Sequence, residues 1–167
     1  MTDDVKKRLD VVLVAGGKYH DIDFARLELL KLLAEDDRIR TRVYEDYSNL
    51  HAISNADFLI TYTCDVRPTL EQQKVLRDFV ANGKRWLALH GTNSILQFLS
   101  DGRVDCPRVA PIFMETLGSQ FLSHPPIEPY TGTVADGDHH LVEGVEPFET
   151  NDELYLMETH GELHVLL

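Results

Sequence analysis

DVVLVAGG at residues 10–17 is a short, continuous apolar run that ends in two glycines. Such a run is typical of a strand buried on both faces of a parallel sheet, because helices cover both sides of that kind of sheet. After a polar loop, apolar residues recur at helical spacing from Phe24 to Ala34. This part of the chain therefore predicts a central strand, a loop and a helix.

The alternation of strand and helix continues along the chain. Residues 57–62 read as another buried strand and residues 85–90 as a strand that breaks at Gly91, and alternating apolar residues at 39–43 predict a strand near the sheet edge. Thr69 opens a capping box at the start of a helix that Gly83 ends. This order predicts an α/β fold with a doubly wound, mostly parallel sheet and helices on both faces.

The second half of the chain has a different character. A helical pattern at 93–99 is followed by a stretch rich in glycine, proline and polar residues that extends to Gly137. Long irregular segments of this kind in a compact α/β domain usually line the site or are mobile. Two later apolar segments, residues 152–157 and 163–167, read as strands.

Composition excludes several classes of partner. The formal net charge of −12 repels phosphate backbones and anionic lipid surfaces, so we expect neither nucleic acid nor membrane binding. The N-terminus, Met1–Asp4, is acidic, and no apolar stretch approaches the roughly 20 residues of a membrane span. Cys64 and Cys106 lack CxxC spacing, which fits free thiols in a reducing compartment. The sequence therefore predicts a cytoplasmic protein.

Polar and small residues follow the predicted strands. Ligands of open α/β sheets bind beyond the carboxyl ends of the strands, where loops and helix N-termini converge. Their place just after strands predicts a proton-transfer role for His20 and His90. It predicts a substrate-binding role for the other polar and small residues that follow the strands. The substrate-binding candidates are Gly16, Gly17, Asp65, Gly91 and Thr92.

His90 is the sharpest candidate, because it stands at a strand-to-helix turn that faces the predicted cleft. A nearby helix N-terminus favours neutral imidazole, which suits a base or a metal ligand. The alternative is a hydrogen-bonded histidine that only packs the turn. We expect Glu153, in the second half, to act beside it as a third catalytic residue.

Scattered histidines in the second half suggest a divalent metal, such as zinc, with His124 and His139 as ligands. The alternative is that residues 138–140 form a solvated turn. The chain has no HExxH pair, no GxGxxG or phosphate loop, and no G-x-S-x-G elbow. Cys64 has no neighbouring histidine in the sequence and reads as a buried, inert thiol.

Several short motifs, in this order, resemble the ThuA-like (trehalose utilisation) family of the class I glutamine amidotransferase-like superfamily. The first are the glycine pair before Tyr-His-Asp at 19–21 and the strand ending in Leu-His-Gly at 89–91. The later ones are LGSQF at 117–121 with Ser-His-Pro at 123–125, the turn from Asp138 to Val145, and Asp-Glu-Leu-Tyr at 152–155. The resemblance covers nearly the whole chain.

The resemblance implies a flavodoxin-like sheet in which His90 occupies the turn that carries cysteine in true amidotransferases, so glutamine hydrolysis is not expected. It also implies a single ThuA-like domain over residues 1–167, shortened at its carboxyl end, with His20, His90, His124, His139 and Glu153 as its polar site positions. Ser119 and His140 depart from the family pattern, which has glycine and proline there.

Three functions follow as hypotheses. The first is an enzyme or enzyme-like protein that acts on a carbohydrate, either trehalose or a related keto-sugar. The second is a non-catalytic sugar-binding or regulatory domain on an amidotransferase-like scaffold, which fold alone does not distinguish from the first. The third is an interaction module that completes its sheet as a homo-oligomer, which the apolar strand at the end of the chain permits.

Overall fold

Four parallel strands form the central sheet of the computed structural model, which describes residues 7–167. The acidic N-terminal stretch lies outside the described residues. The spatial order of the strands is β2-β1-β3-β4, and every pairing is parallel. These strands are β1 (Leu9–Gly17), β2 (Ile39–Tyr44), β3 (Phe58–Cys64) and β4 (Arg85–Leu89).

Four helices cover the two faces of this sheet. They are α1 (Ile22–Leu33), α2 (Leu50–Asn55), α3 (Leu70–Ala81) and α4 (Pro111–Leu117). In β1, Val11, Leu13 and Ala15 pack on the side of α1, whereas Val12 and Val14 pack in a core that α2, α3 and α4 share. The predicted doubly wound α/β fold is confirmed, and burial on both faces explains why β1 is apolar from Val11 to Ala15.

Local signals fix the helix ends. The predicted capping box is present, since the Thr69 side chain accepts from Gln72 and the Gln72 side chain accepts from Thr69. The short helices α2 and α4 were not predicted, although α2 has Asn49 as its N-cap and α4 begins with proline and ends at Gly118. Gly118 has a φ of 79°, the left-handed conformation that favours glycine after a helix.

Pairs of short antiparallel strands build the second half. β5 pairs with β6, β7 with β10, and β8 with β9. No helix among residues 7–167 is long and apolar enough to cross a membrane. The strands are β5 (Gln97–Phe98), β6 (Val104–Asp105), β7 (Ser119–Ser123), β8 (Glu128–Gly132), β9 (Phe148–Asp152) and β10 (Leu156–Thr159).

The predicted helix at 93–99 is wrong. A 3-10 turn occupies His90–Asn93, and the chain then runs extended into β5. Asp65 causes the difference, because its backbone N–H donates to the Ser94 carbonyl and its carboxylate accepts from the Leu96 N–H. These bonds hold the segment against the end of β3, and this long-range anchoring overrides the local helical pattern.

The predicted strands near the end of the chain are also partly wrong. The segment at 152–157 is divided, since β9 ends at Asp152 and β10 begins at Leu156. Glu153 and Tyr155 lie in the break, where their side chains turn towards the ends of the parallel strands. Residues 163–167 form no strand, although the Leu166 carbonyl accepts a hydrogen bond from the Ala135 N–H.

Candidate functional site

Three non-glycine residues with positive φ stand just beyond the carboxyl ends of neighbouring strands. They are Tyr19 after β1 (φ 69°), Asp65 after β3 (φ 54°) and His90 after β4 (φ 47°), and no other non-glycine residue in 7–167 has positive φ. Each such conformation costs of order 1–3 kcal/mol and persists only where the surrounding structure requires it. Backbone strain is therefore concentrated at the edge where α/β sheets bind ligands.

His20, His90 and Glu153 meet at this edge. The Nε2 atoms of the two histidines lie 2.7 Å apart. Oε2 of Glu153 lies 3.8 Å from His90 Nε2 and 3.9 Å from His20 Nε2. Within 7–167 this trio is the one group of three or more His, Cys, Asp or Glu side chains whose ligand atoms all fall within 4.8 Å of one another.

Aromatic rings hold His90 in place. Its ring stacks with those of Tyr62 and Tyr155, whose centroids lie 5.8 and 4.9 Å away, and the His20 ring meets it edge-on. Burial, and then the neighbouring His20, lower the pKa of His90, so its imidazole is neutral near pH 7. The Tyr155 hydroxyl lies 3.2 Å from His90 Nε2, and burial keeps it protonated by raising its pKa.

Two histidines have their Nδ1 atoms bound to backbone carbonyls. His20 Nδ1 lies 3.3 Å from the Lys18 oxygen, and His124 Nδ1 lies 2.8 Å from the Pro125 oxygen. Because a carbonyl only accepts, Nδ1 carries the proton in each neutral ring and Nε2 presents a lone pair. His124 Nε2 lies 3.5 Å from Oε1 of Glu153. The carboxylate therefore lies between His124 and the histidine pair.

A cavity of about 380 Å³, which we call the histidine cavity, opens beside this cluster; His20 and Glu153 line it, whereas His90 lies behind them. Its volume lies within the ~300–1,000 Å³ range of small-molecule sites. Polar groups meet aromatic and aliphatic walls there, so the cavity combines proton donors and acceptors with apolar surface. The lining includes Tyr19, His20, Cys64, Phe98, Phe121, His124, Glu153 and Tyr155.

Gly16 and Gly17 lie beside the histidine cavity, in a separate groove that His20 and Arg26 also line. A methyl group added at Gly16 would lie 2.0 Å from the Glu45 carbonyl oxygen, and one added at Gly17 would lie 1.9 Å from the Cys64 carbonyl oxygen. Close backbone packing therefore requires both glycines. Their predicted substrate-binding role stays a prediction.

Asp65 is almost fully enclosed, with its side chain 4% exposed. Burial tends to raise its pKa, but hydrogen bonds from Lys18, the Leu96 N–H and Arg67 outweigh burial and lower it. The carboxylate is thus ionised and bound to protein groups that shape the cavity wall. Contact with a substrate stays a prediction for this residue.

Gly91 and Thr92 are buried in the turn behind His90. The Thr92 hydroxyl lies 3.1 Å from the Thr61 hydroxyl and donates to the Leu89 carbonyl at 2.8 Å. A methyl group at Gly91 would lie 2.9 Å from the Thr63 carbonyl oxygen. Both residues fix the position of His90 in the turn, and their predicted direct contact with substrate is untested.

His139, predicted as a metal ligand with His124, lies in another part of the protein. Its ring stacks on His140 with ring centroids 4.6 Å apart and meets His164 edge-on at 5.3 Å. It lines a groove with residues from 133 to 147, none of which lines the histidine cavity. Of the two predicted metal ligands, only His124 lies beside Glu153.

Sequence reasoning missed the aromatic part of the site. Tyr155 belongs to the quoted Asp-Glu-Leu-Tyr motif, so a signal was present, but only Glu153 was chosen from it. Tyr19 and Phe121 also stand in motifs of the family, Tyr-His-Asp and LGSQF, but neither was predicted as a site residue, and Phe98 stands in no motif. Cys64 is 2% exposed and burial raises its pKa to about 12, which fits the predicted inert thiol.

The fold and this edge cluster define a protein of the flavodoxin-like α/β class with a histidine and carboxylate site at the ends of its parallel strands. The model of the ThuA family, described as trehalose utilisation, matches residues 10–167. The chain therefore belongs to the ThuA family. No curated protein is significantly similar to it.

Two solved structures share the fold. A ThuA-like protein from Bacteroides uniformis superposes with a TM-score of 0.68 at 16% identity, and one from Parabacteroides merdae with 0.60 at 17% identity. The alignments cover 90% and 92% of this chain but only 62% and 64% of those chains. This chain thus spans less than two thirds of the length of both structures.

Proposed function

We propose that this protein binds a carbohydrate, trehalose or a related keto-sugar, in the histidine cavity and acts on it by proton transfer. The observation that carries the proposal is the cavity itself, which places four aromatic side chains around a cluster of histidine and carboxylate groups. Sugar rings have apolar C–H faces that pack on aromatic rings and hydroxyls that need donors and acceptors. Membership of a family described by trehalose utilisation supports the same substrate class.

The cluster offers a proton acceptor and a proton donor side by side. Neutral His90 lies behind His20 and Tyr155, which line the cavity, and can accept a proton that passes to it from a sugar hydroxyl or from a carbon beside a carbonyl group. Tyr155, which stays protonated, can donate a hydrogen bond to the substrate oxygen at the same place. Glu153, between His124 and the histidine pair, provides negative charge that stabilises a positive charge formed on His90.

A second candidate is sugar binding without turnover. It is favoured by the absence of an activated thiol in the cavity, since Cys64 is protonated at neutral pH because of its raised pKa. Covalent amidotransferase chemistry therefore has no nucleophile among the residues that line the histidine cavity. The two candidates share the site and differ only in whether the bound sugar changes.

The test is calorimetric titration of the full chain with trehalose and its keto-sugar derivatives, with products followed by NMR. His90→Ala should abolish turnover and leave the protein folded. Phe98→Ala should weaken binding about threefold to tenfold, as expected for the loss of an aromatic contact worth ~0.5–1.5 kcal/mol. Phe148→Ala, an exposed phenylalanine of β9 outside the cavity, is the matched control and should bind as the wild type does.

Each result has a distinct meaning. Binding with no product in the wild type would support the second candidate. Unchanged binding in Phe98→Ala would contradict the histidine cavity as the sugar site. Turnover that survives in His90→Ala would remove the proton-transfer role from His90.

A further inference from the structure

We propose that His20, His90 and Glu153 together bind one divalent transition-metal ion at the floor of the histidine cavity. This set differs from the pair predicted from the sequence, because His139 lies elsewhere and the two strand-end histidines take its place. The inference does not depend on the carbohydrate, since metal binding is measured without any sugar.

The distances suit an ion after small side-chain movements. Ligand atoms of a tetrahedral site with bonds of about 2.0–2.1 Å lie about 3.3 Å apart. The two histidine nitrogens are closer than this, at 2.7 Å, and the carboxylate oxygen is farther, at 3.8 and 3.9 Å. Shifts of roughly 0.6 Å, within reach of small torsion changes, make all three separations equal to that value.

The surroundings of His20 are those of a metal ligand. A ligating histidine almost always donates its second ring N–H to a carboxylate, a backbone carbonyl or water, which fixes the ring and leaves the other nitrogen free to bind. His20 Nδ1 faces the Lys18 carbonyl in this way, and its Nε2 points at the cluster. The rings of Tyr62 and Tyr155 both stack with the His90 ring and restrain its orientation.

His124 is assigned an outer role. Its Nε2 lies 3.5 Å from Oε1 of Glu153, the oxygen that does not face the histidine pair, and its Nδ1 is bound to the Pro125 carbonyl. The contact between His124 and Oε1 holds the carboxylate with Oε2 towards the two histidine nitrogens. His124 is thus a positioning residue, not a ligand.

Two imidazoles and one carboxylate favour zinc, iron or manganese over magnesium and calcium, which prefer oxygen ligands alone. Three protein ligands leave a coordination position open, which is typical of catalytic rather than structural sites. Because His20 and Glu153 both line the histidine cavity, an ion held there would polarise a hydroxyl or carbonyl oxygen of a ligand in the cavity. Tyr155 and His124 would then remain as the groups that move protons.

The alternative is a direct hydrogen bond. If His90 carries its proton on Nε2, it donates to the lone pair of His20 Nε2 at 2.7 Å and no ion is needed. Both the metal site and the direct hydrogen bond fit a pair of nitrogens at this distance, and the presence of Glu153 distinguishes the two arrangements. A third ligand atom is useful to an ion and unnecessary to the hydrogen bond.

The experiment is titration of the untagged full chain, stripped with a chelator, with Zn²⁺ at neutral pH, with Mg²⁺ as the second probe. We expect one Zn²⁺ per chain and no Mg²⁺ binding. His20→Ala, His90→Ala and Glu153→Gln should each weaken Zn²⁺ binding by more than the ~10–100-fold that the loss of an outer partner costs, and His124→Ala should fall within that range. His51→Ala, an exposed histidine of α2, is the matched control and should leave binding unchanged.

Co²⁺ provides a test that needs no variant, because a tetrahedral site gives an intense visible spectrum and an octahedral one a weak spectrum. Wild-type protein that takes up neither Zn²⁺ nor Co²⁺ stoichiometrically, so that no new visible band appears, would overturn the metal site. So would a Glu153→Gln variant that binds Zn²⁺ as tightly as His51→Ala does. Sugar titrations repeated with a chelator present measure sugar binding without any metal. They therefore distinguish a failure of the metal proposal from a failure of the carbohydrate proposal.

Discussion

At the scale of single residues, His90 shows how the backbone directs a functional side chain. Its φ of 47° is the left-handed conformation, which costs an ordinary residue roughly 1–2 kcal/mol relative to a right-handed one. The conformation turns the ring back towards His20 and Tyr155. A residue in the extended conformation here would continue the line of β4 and carry the imidazole away from the cluster.

This strain predicts an ordering of two variants. His90→Gly and His90→Ala remove the same ring contacts, but glycine adopts positive φ without a Cβ penalty. The glycine variant should therefore have the larger free energy of unfolding, by about 1 kcal/mol. Urea denaturation followed by circular dichroism measures the difference.

Both variants lack the His90 imidazole, so neither is expected to bind Zn²⁺ tightly. Bound metal therefore does not contribute to the difference between their free energies of unfolding. Equal stabilities, or a more stable alanine variant, would mean that residue 90 is not held in the left-handed conformation. The contact between the His90 ring and His20 would then need another structural explanation.

At the scale of secondary structure elements, the glycine pair at the end of β1 lets three strands approach one another. Gly16 lies against the Glu45 backbone that follows β2, and Gly17 lies against Cys64 at the end of β3. These contacts bring the loop that carries His20 close to the loops from the neighbouring strands. Gly16 and Gly17, which the sequence predicts to touch substrate, thus have a packing role in the structure.

Gly17→Ala tests this close approach, with Gly83→Ala as its matched control. Both glycines have positive φ, at 109° and 78°, but a methyl group at Gly83 meets nothing within 4 Å. Both variants therefore carry backbone strain, and only Gly17→Ala adds a clash with the Cys64 carbonyl. We expect Gly17→Ala to lose at least about 2 kcal/mol more of the free energy of unfolding than Gly83→Ala.

Thermal and urea unfolding of both variants measure this difference. A Gly17→Ala protein as stable as Gly83→Ala would show that the ends of β1 and β3 do not lie as close as described. The strand order and the capping of α3 would be unaffected, since neither depends on this contact.

At the scale of the complete chain, the site joins two structurally different halves. His20 and His90 are 70 residues apart and both follow strands of the parallel sheet. Glu153 and Tyr155 come from the antiparallel second half, in the break between β9 and β10. An ion or a ligand bound here would therefore hold the second half against the sheet.

This arrangement predicts that Zn²⁺ stabilises the entire protein. At a free concentration one hundred times the dissociation constant, binding to the folded state alone adds about 2.7 kcal/mol to the free energy of unfolding. For a chain of this size the Tm should rise by about 5–10 °C. Differential scanning calorimetry and limited proteolysis of the second half measure the effect.

His90→Ala should show neither the rise in Tm nor the slower proteolysis, and His51→Ala should show both. Equal stabilisation of both variants by Zn²⁺ would place the ion somewhere other than the strand-end cluster. No change in the wild type would contradict binding at the site.

The local pattern of the sequence sufficed for the parallel sheet, for α1 and α3, and for the placing of His20 and His90 beyond strand ends. Apolar runs and helical spacing report burial directly, and the carboxyl ends of parallel strands share one edge wherever the strands pair. The local pattern did not predict the conformation of residues 93–99 and 152–157. There the conformation depends on partners distant in sequence: Asp65 for the first, and the cluster around His90 for the second.

Tertiary structure alone selected which of the later histidines lies at the site. His124 and His139 are equivalent as sequence signals, because each is an imidazole in an irregular segment. The pairing of β7 with β10 brings His124 and Glu153 to the strand ends, whereas His139 packs on His140 and His164. Residue type and spacing carry no information about such long-range pairing, and the aromatic walls of the cavity were missed for the same physical reason.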